Sequence, residues 1–414
     1  MFTCSLILVD MASEPAKRKA VQNAANGNIS LLNGLIKYYK DMENKFDDIR
    51  PYYDHEIPAA MQRIAHCDAF PLLASFVYPN DPIEKIRERV AGFKTIREFQ
   101  HDTMYKVNEQ VIARSTNGST CSGIERLSPT ESYLYVSNHR DIMLDSSLLQ
   151  YFLVSKGFET TEITFGANLM THPVVIDVGK SNKMFKVERP GGNIRDFYRS
   201  SLHLSEYIRH VISEKHQSVW IAQRNGRTKD GIDATDQGII KMFCLSESRD
   251  KIKAIADLHI VPVSISYEWE SCDLLKALEL YQSQFMKYVK KPGEDLNSIL
   301  TGITQPKGRI HMELCEPLSI PELMAFEGQT NVEYHKSVAH LIDRRINTAY
   351  RLYPNNYIAH DLLYGNKRYQ TMYSQGEFDA FVKHMSALDS YDSFDIERLK
   401  EIFLGIYANP IDSK

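Results

Sequence analysis

Four things are scarce or absent in this 414-residue sequence: paired cysteines, long apolar runs, an excess of cationic side chains, and glycine or proline in quantity. Six cysteines stand at 4, 67, 121, 244, 272 and 315, and no two have C-x-x-C spacing. Zinc knuckles and dithiol redox motifs are thereby excluded, and scattered thiols of this kind suit a reducing, intracellular setting. No stretch approaches the roughly 18 uninterrupted apolar residues of a spanning helix. The longest candidate, Ala69 to Tyr78, is about half that length. The opening MFTCSLILVDMASEP has no basic residue before its apolar run and reaches Asp10 early, which does not fit a signal peptide. The expectation is a cytoplasmic protein that touches a membrane without crossing it.

Lys and Arg number 49 against 53 Asp and Glu, a formal charge of −4, so the cationic excess of a general nucleic-acid binder is missing. With 43% apolar residues and only 20 Gly and 16 Pro, whole-chain disorder, collagen and low complexity are excluded. The length allows one large domain with helical additions, or two domains. There is no internal repeat.

Along the chain, residues 1–45 read as an N-terminal tail that becomes helical after Asn28. Residues 46–117 carry helical patterns broken by Pro51, Pro58, Pro71, Pro79 and Pro82. The middle changes character. Short β-branched and aromatic runs at 133–137, 161–165, 218–222, 259–266 and 308–314 read as strands, with helical runs between them. Strands alternating with helices predict an α/β sheet core over 118–329, with sites at the carboxyl ends of strands. Residues 330–414 return to helix. Tyr334, Val338, Leu341, Ile342, Ile346 and Ala349 share a face, and Pro354 is expected to end that helix. The acid-rich stretch 377–401 reads as a solvated helical face.

The strongest chemical signal is Ser137-Asn138-His139-Arg140-Asp141-Ile142-Met143-Leu144-Asp145, where a strand ends and a helix begins. A carboxylate hydrogen-bonded to one imidazole nitrogen raises the basicity of the other, which can then deprotonate a substrate hydroxyl. The competing reading is a turn histidine beside a helix-capping Asp. His139-Arg140-Asp141 also spells the start of a protein-kinase catalytic loop. The Asn required five residues after the Asp is Ser146 here, and D-F-G, A-P-E and the Gly-rich loop are missing.

A second signal, Arg224-Asn225-Gly226-Arg227-Thr228-Lys229, directly follows the 218–222 strand. Arg227 offers a guanidinium fork suited to phosphate, Gly226 admits close backbone approach, and Thr228 adds a hydroxyl. Residues 180–229 hold eleven Lys or Arg and four Asp or Glu, a local net of +7 in an acidic chain. That asymmetry suggests an anionic ligand or membrane surface. The basic run 179–192 reads as a further candidate lining. No histidines show zinc spacing, so no metal is expected.

Taken in order, these segments resemble the glycerolipid acyltransferase family, which includes glycerol-3-phosphate and 1-acyl-glycerol-3-phosphate acyltransferases. NHRDIMLD is similar to the family's His-x4-Asp motif. MFKVERPG, with Arg189, resembles its second block. RNGRT, with Asn225, Gly226, Arg227 and Thr228, resembles its Glu-Gly-x-Arg-Ser/Thr block, and IVPVSI resembles its Val-Pro-Val strand. The resemblance covers about half of the chain, near residues 118–320. It implies O-acyl transfer from acyl-CoA or acyl-carrier protein to a hydroxyl of glycerol 3-phosphate or a lysophospholipid, in phospholipid biosynthesis. No cofactor is implied beyond the acyl donor. His139 would be the base, oriented by Asp145 or, as second choice, Asp141. Arg189, Asn225, Gly226, Arg227, Thr228 and Lys229 would bind substrate.

There are two departures. Asp145 lies one residue beyond the family spacing, which a turn before the helix could absorb. Arg224 occupies the place of the family's Glu. These leave two alternatives: a non-catalytic lipid- or acyl-carrier-binding protein, and an acyltransferase for amino-acid lysolipids. Peripheral attachment to the inner face of a membrane is expected, through the basic face and an apolar patch in the N-terminal helical region.

Overall fold

The computed structural model describes residues 45–170, 172–188 and 193–414. The chain divides into two units, Met1–Arg50 and Pro51–Lys414. Of the first, the described residues 45–50 form a short turn. The helix expected after Asn28 lies outside the described residues.

The second unit, which carries the sheet, opens with helices α1 (Ile57–Ala65), α2 (Phe70–Val77), α3 (Ile83–Ala91) and α4 (Ile96–Phe99). A π-turn at Gln100–Met104 leads into α5 (Tyr105–Ser115). Pro58 and Pro71 sit in the first turns of α1 and α2, where a missing N–H costs nothing. Thr95 and Glu98 form a reciprocal capping box at the start of α4. Ile57, Met61, Ile64 and Ala65 place one face of α1 in a cluster with Phe70, Val90 and Phe99. This helical spacing is the periodicity seen in the sequence.

Strand and helix then alternate: β1 (Thr116–Ser122), β2 (Leu134–Ser137), α6 (Leu144–Ser155), β3 (Glu162–Gly166), α7 (Pro173–Ser181), β4 (Met184–Val187), α8 (Ile194–Ser213) and β5 (Val219–Ala222). After α9 (Gln237–Phe243) and α10 (Lys251–Ala256) come β6 (Ile260–Tyr267), α11 (Asp273–Ser283), α12 (Glu294–Thr304) and β7 (Gly308–Leu314). The seven strands form one mixed sheet in the order β1-β7-β6-β2-β5-β3-β4. The α/β expectation holds, with two additions. The edge strands β1 and β4 were not legible: TNGSTCS is too polar to show apolar alternation, and MFKV is four residues inside a basic run.

β2 to β6 run parallel to their neighbours in this set, while β7 is antiparallel to β6. The carboxyl ends of β2 to β6 therefore share one edge, and β7 begins there. β2 is flanked by β5 and β6, and the chain leaves it toward β3 on one side but returns to β6 on the other. Such a reversal opens a crevice at the strand's carboxyl end. Both β2 and β6 are buried along their whole length, as central strands covered on both faces must be.

Helices α13 (Ile320–Met324), α14 (Asn331–Ala349), α15 (Pro354–Leu363), α16 (Gln375–Met385) and α17 (Ile396–Asp412) complete the unit. α14 ends at Ala349, and Pro354 opens α15 rather than ending α14. Proline favours that first-turn position. Tyr334, Val338, Leu341, Ile342 and Ile346 are buried on α14, as their spacing predicts. Another apolar cluster, with Ile358, Phe381, Leu399, Phe403 and Tyr407, binds the last helices together.

Candidate active site

The site begins with the turn between β2 and α6. Asn138 is fully buried and continues the sheet with its side chain. Its amide donates to the Ile265 carbonyl at 3.0 Å and its Oδ1 accepts from the Ile265 N–H at 2.8 Å. The chain is thereby pinned to β6 just before His139. Residues 138–143 are not helical, and α6 begins only at Leu144. The extra residue between His139 and Asp145 is taken up in this turn.

His139 Nδ1 lies 2.9 Å from Asp145 Oδ2. With a carboxylate as acceptor, Nδ1 carries the proton and Nε2 is left with its lone pair. Asp145 is fully buried but well supplied with donors. Its Oδ2 also accepts from the backbone N–H groups of Arg140 at 2.6 Å and Asp141 at 2.9 Å, and its Oδ1 accepts from the Tyr267 hydroxyl at 2.8 Å. Burial and the adjacent Asp145 charge hold the Tyr267 phenol well above its ordinary pKa, so it stays a donor. The Trp220 ring meets the imidazole edge-on at 5.8 Å between centroids. Four donors and one ring thus fix a single orientation of the pair.

Asp141 has a different task, which corrects its place as a second orienter. Its Oδ1 accepts from the N–H groups of Met143 and Leu144, both at 2.8 Å, and so caps the start of α6. Its other oxygen accepts from the Ser271 hydroxyl. α12 packs close here: a Cβ on Gly302 would come within 2.3 Å of that oxygen, so only glycine fits.

Beneath His139 lies a buried charge network that the sequence did not suggest. The Arg140 guanidinium is 2.7 Å from Asp233 Oδ2 and 3.3 Å from Glu270 Oε2. Lys276 Nζ donates to Glu270 at 2.5 Å and to the Arg140 carbonyl at 2.8 Å. Two cations meet two carboxylates, and the Tyr350 ring packs over the guanidinium at 5.0 Å. Burial works against the Arg140 charge, but Asp233, Tyr350 and Glu270 outweigh it and keep the group protonated. The C-terminal helices brace the same floor. Asp273, at the start of α11, accepts from the Tyr407 hydroxyl at 2.6 Å and meets His384 Nε2 at 2.7 Å.

The 223–231 loop forms the wall above. The Thr228 N–H donates to the His139 carbonyl at 2.7 Å, and Asn409 on α17 donates to the Asp230 carbonyl at 2.8 Å. A cleft of about 410 Å³ opens here. His139, Arg224, Asn225, Gly226, Arg227 and Lys229 line one side, and Ile142, Leu169 and Leu280 supply apolar surface. Gly226 has φ +78°, in the region where glycine carries no Cβ penalty. Among the described residues, neither Arg224 nor Arg227 has an ion pair or hydrogen bond, and Arg227 Nη1 is buried without a partner. A buried guanidinium nitrogen without an acceptor is costly unless a ligand supplies one.

The sequence-derived binding residues therefore separate. Asn225, Gly226 and Arg227 line the cleft with His139, as does Lys229, although Lys229 is already paired with Glu279. Thr228 is fully buried and off the lining, and its N–H holds the His139 carbonyl. Arg189 lies outside the described residues. The described part of the basic run, 179–188, does not line the cleft. Lys183 is turned inward onto the Thr160 carbonyl and Gln217, and burial lowers its pKa to about 8. Tyr267 ends a strand that was legible, and its position at the carboxyl end was the available signal. Among the described residues there is no cluster able to hold a metal ion.

Residues 118–266 match the family model described as Acyltransferase. No curated protein matches the chain. Among solved structures, the chain is similar to the crystal structure of the 1-acyl-sn-glycerophosphate (LPA) acyltransferase, PlsC, from Thermotoga maritima. The identity is 14%, with 70% of this chain and 94% of that chain covered and a TM-score of 0.34.

Proposed function

We propose that His139 and Asp145 transfer a fatty acyl group from a thioester donor to the hydroxyl of a phosphate-bearing glycerol or lysolipid, a reading supported by the match of residues 118–266 to the Acyltransferase family model. The donor is acyl-CoA or acyl-carrier protein. Nε2 of His139 takes the proton of the acceptor hydroxyl, and that oxygen attacks the thioester carbonyl. The tetrahedral adduct collapses with cleavage of the C–S bond. The sulfur leaves and the proton held on the imidazole returns to it, giving an ester and a free thiol. Asp145 keeps the imidazole in the required tautomer and stabilises the imidazolium between the two steps.

Arg227, helped by Arg224 and Asn225, is assigned to the acceptor's phosphate. Arg224 stands where the resembling family has Glu, so this chain brings more positive charge to its acceptor. The observation that carries the reading is the His139–Asp145 pair facing a cleft beside two arginines without ion partners.

The test is thiol release from palmitoyl-CoA and palmitoyl-acyl-carrier protein with glycerol 3-phosphate, lysophosphatidate or a lyso-amino-acid lipid offered in turn. Release that depends on a phosphate-bearing acceptor supports the assignment. Release only with the amino-acid lipid moves the acceptor to that class. Folded protein that releases no thiol with any pair refutes catalysis and favours a lipid-binding role. Peripheral attachment to a membrane belongs to the same proposal. No helix among the described residues is long and apolar enough to cross one.

A further inference from the structure

We propose that the carboxyl edge of the sheet is the face that meets an anionic lipid bilayer, with the segment Phe285–Val289 dipping into it beside the mouth of the His139 cleft. This deepens the acyltransferase reading by naming the surface through which lipid substrates arrive, but its observations are separate.

Phe285, Met286 and Val289 are 68%, 71% and 77% exposed, in a loop that follows α11. Three large apolar side chains within five residues would be costly to leave in water. The loop reads FMKYVKK, so Lys287, Lys290 and Lys291 interleave with the apolar residues and no acid is present. Leu296 and Leu300, one turn apart on α12, are also exposed.

The loop is built into the cleft rather than hanging beside it. Lys290 is paired with Asp295, which also accepts from Asn168 after β3 at 3.2 Å. Lys290, Asp295 and Leu280 all line the His139 cleft. The apolar tip and the cleft wall are thus parts of one segment. The same edge of the sheet carries the first turn of α8, where Ile194 is 87% exposed and Tyr198 is exposed beside Arg195 and Arg199.

The chemistry fits a bilayer better than a second protein surface. The apolar groups of the loop tip and of the first turn of α8 are interleaved with cations, whereas Leu296 and Leu300 on α12 follow Glu294 and Asp295. Lysine stems can lie along acyl chains while their ammonium groups reach anionic headgroups. The N-terminal helical region, where an apolar patch was expected, offers exposed Leu72 and Leu73 on α2, a helix with no Lys or Arg.

The experiment is sedimentation of the full chain with vesicles of phosphatidylcholine alone or mixed with phosphatidylglycerol, at low salt. The wild type is expected to pellet with the mixed vesicles. The triple variant Phe285→Ser/Met286→Ser/Val289→Ser should lose at least about tenfold in vesicle affinity. Lys287→Glu/Lys291→Glu should lose the preference for the anionic mixture. Phe285→Trp, read against the wild-type emission of Trp220 and Trp269, should blue-shift on vesicle addition and be quenched by brominated lipid. All variants should retain wild-type turnover of a short-chain acyl-CoA with glycerol 3-phosphate in solution.

A wild type that stays in the supernatant, a triple variant that pellets like the wild type, or unchanged Phe285→Trp emission would each overturn the proposal. Vesicle results as expected, together with no turnover by any form, would keep this face and remove only the catalytic reading.

Discussion

Two sets of cations lie on either side of His139, and they are treated in opposite ways. Below, Arg140 and Lys276 are buried and matched by Asp233 and Glu270, with every charge within hydrogen-bonding reach of an opposite one. Above, Arg224 and Arg227 face a cleft with no acceptor of their own among the described residues. A buried ion pair adds little net stability over a well-packed apolar pair, but removing one partner is expensive. The lower set therefore fixes the shape of the floor. The upper set has had its acceptor left out, which is what an anion-binding wall requires. In this molecule the paired cations build the floor, and the proposed function assigns the unpaired ones in the cleft to a ligand.

That contrast is open to attack. The largest effect should come from the group between the two sets. His139→Ala is expected to cut acceptor-dependent turnover by roughly 10²–10⁴-fold while melting like the wild type. An equally active variant would break the account, and kinetics beside a thermal melt decide it. Next, Arg140→Met leaves Asp233 and part of Glu270 uncompensated and should cost about 3–5 kcal/mol of stability. Chemical denaturation reads this, and a variant as stable as the wild type would show that the lower network is not structural.

The two carboxylates of the turn should then separate. Asp141→Ala removes a cap and should cost about 1–2 kcal/mol with turnover retained in the folded fraction. Asp145→Asn should instead lower turnover in protein that is still folded. Matching activity losses in the two would erase the distinction drawn between them.

The smallest effect concerns the helices that brace the floor. Burial pulls the His384 pKa down, but its hydrogen bond to Asp273 and that residue's charge outweigh it, and the value is raised above 6.5. A raised folded-state value means the pair's stabilisation is complete below the unfolded pKa and fades as pH rises through the folded one. The melting-temperature gap between wild type and His384→Gln should therefore be widest in mild acid and shrink above neutrality. A gap that widens with pH would contradict the pairing.

Much of this was legible locally. The β2 turn, His139 and the 224–229 loop announced themselves because each is a run of neighbours at the end of an apolar strand. Asp145 rather than Asp141 could not be fixed, since the choice depends on how residues 138–143 bend before α6. The network around Arg140 was invisible for a simpler reason. Asp233 and Glu270 stand 93 and 130 positions away, and only the sheet order brings them together. Arg140 in the sequence suggested only a kinase-like tripeptide. Thr228 was legible only as a hydroxyl beside Arg227; that its N–H holds the His139 carbonyl depends on how the loop folds back over the turn.

The most direct measurement compares acceptors in Arg227→Ala. Turnover of lysophosphatidate would be set against turnover of the matching monoacylglycerol, which lacks the phosphate, in wild type and variant. If Arg227 is the unpaired cation that holds the phosphate, kcat/KM for lysophosphatidate should fall about 10–100-fold, the size of a charge-assisted hydrogen bond. The monoacylglycerol value should stay unchanged, and the wild type's preference should collapse. An undiminished preference in the variant would contradict the assignment and, with it, the division between cations that build the fold and cations that wait for the ligand.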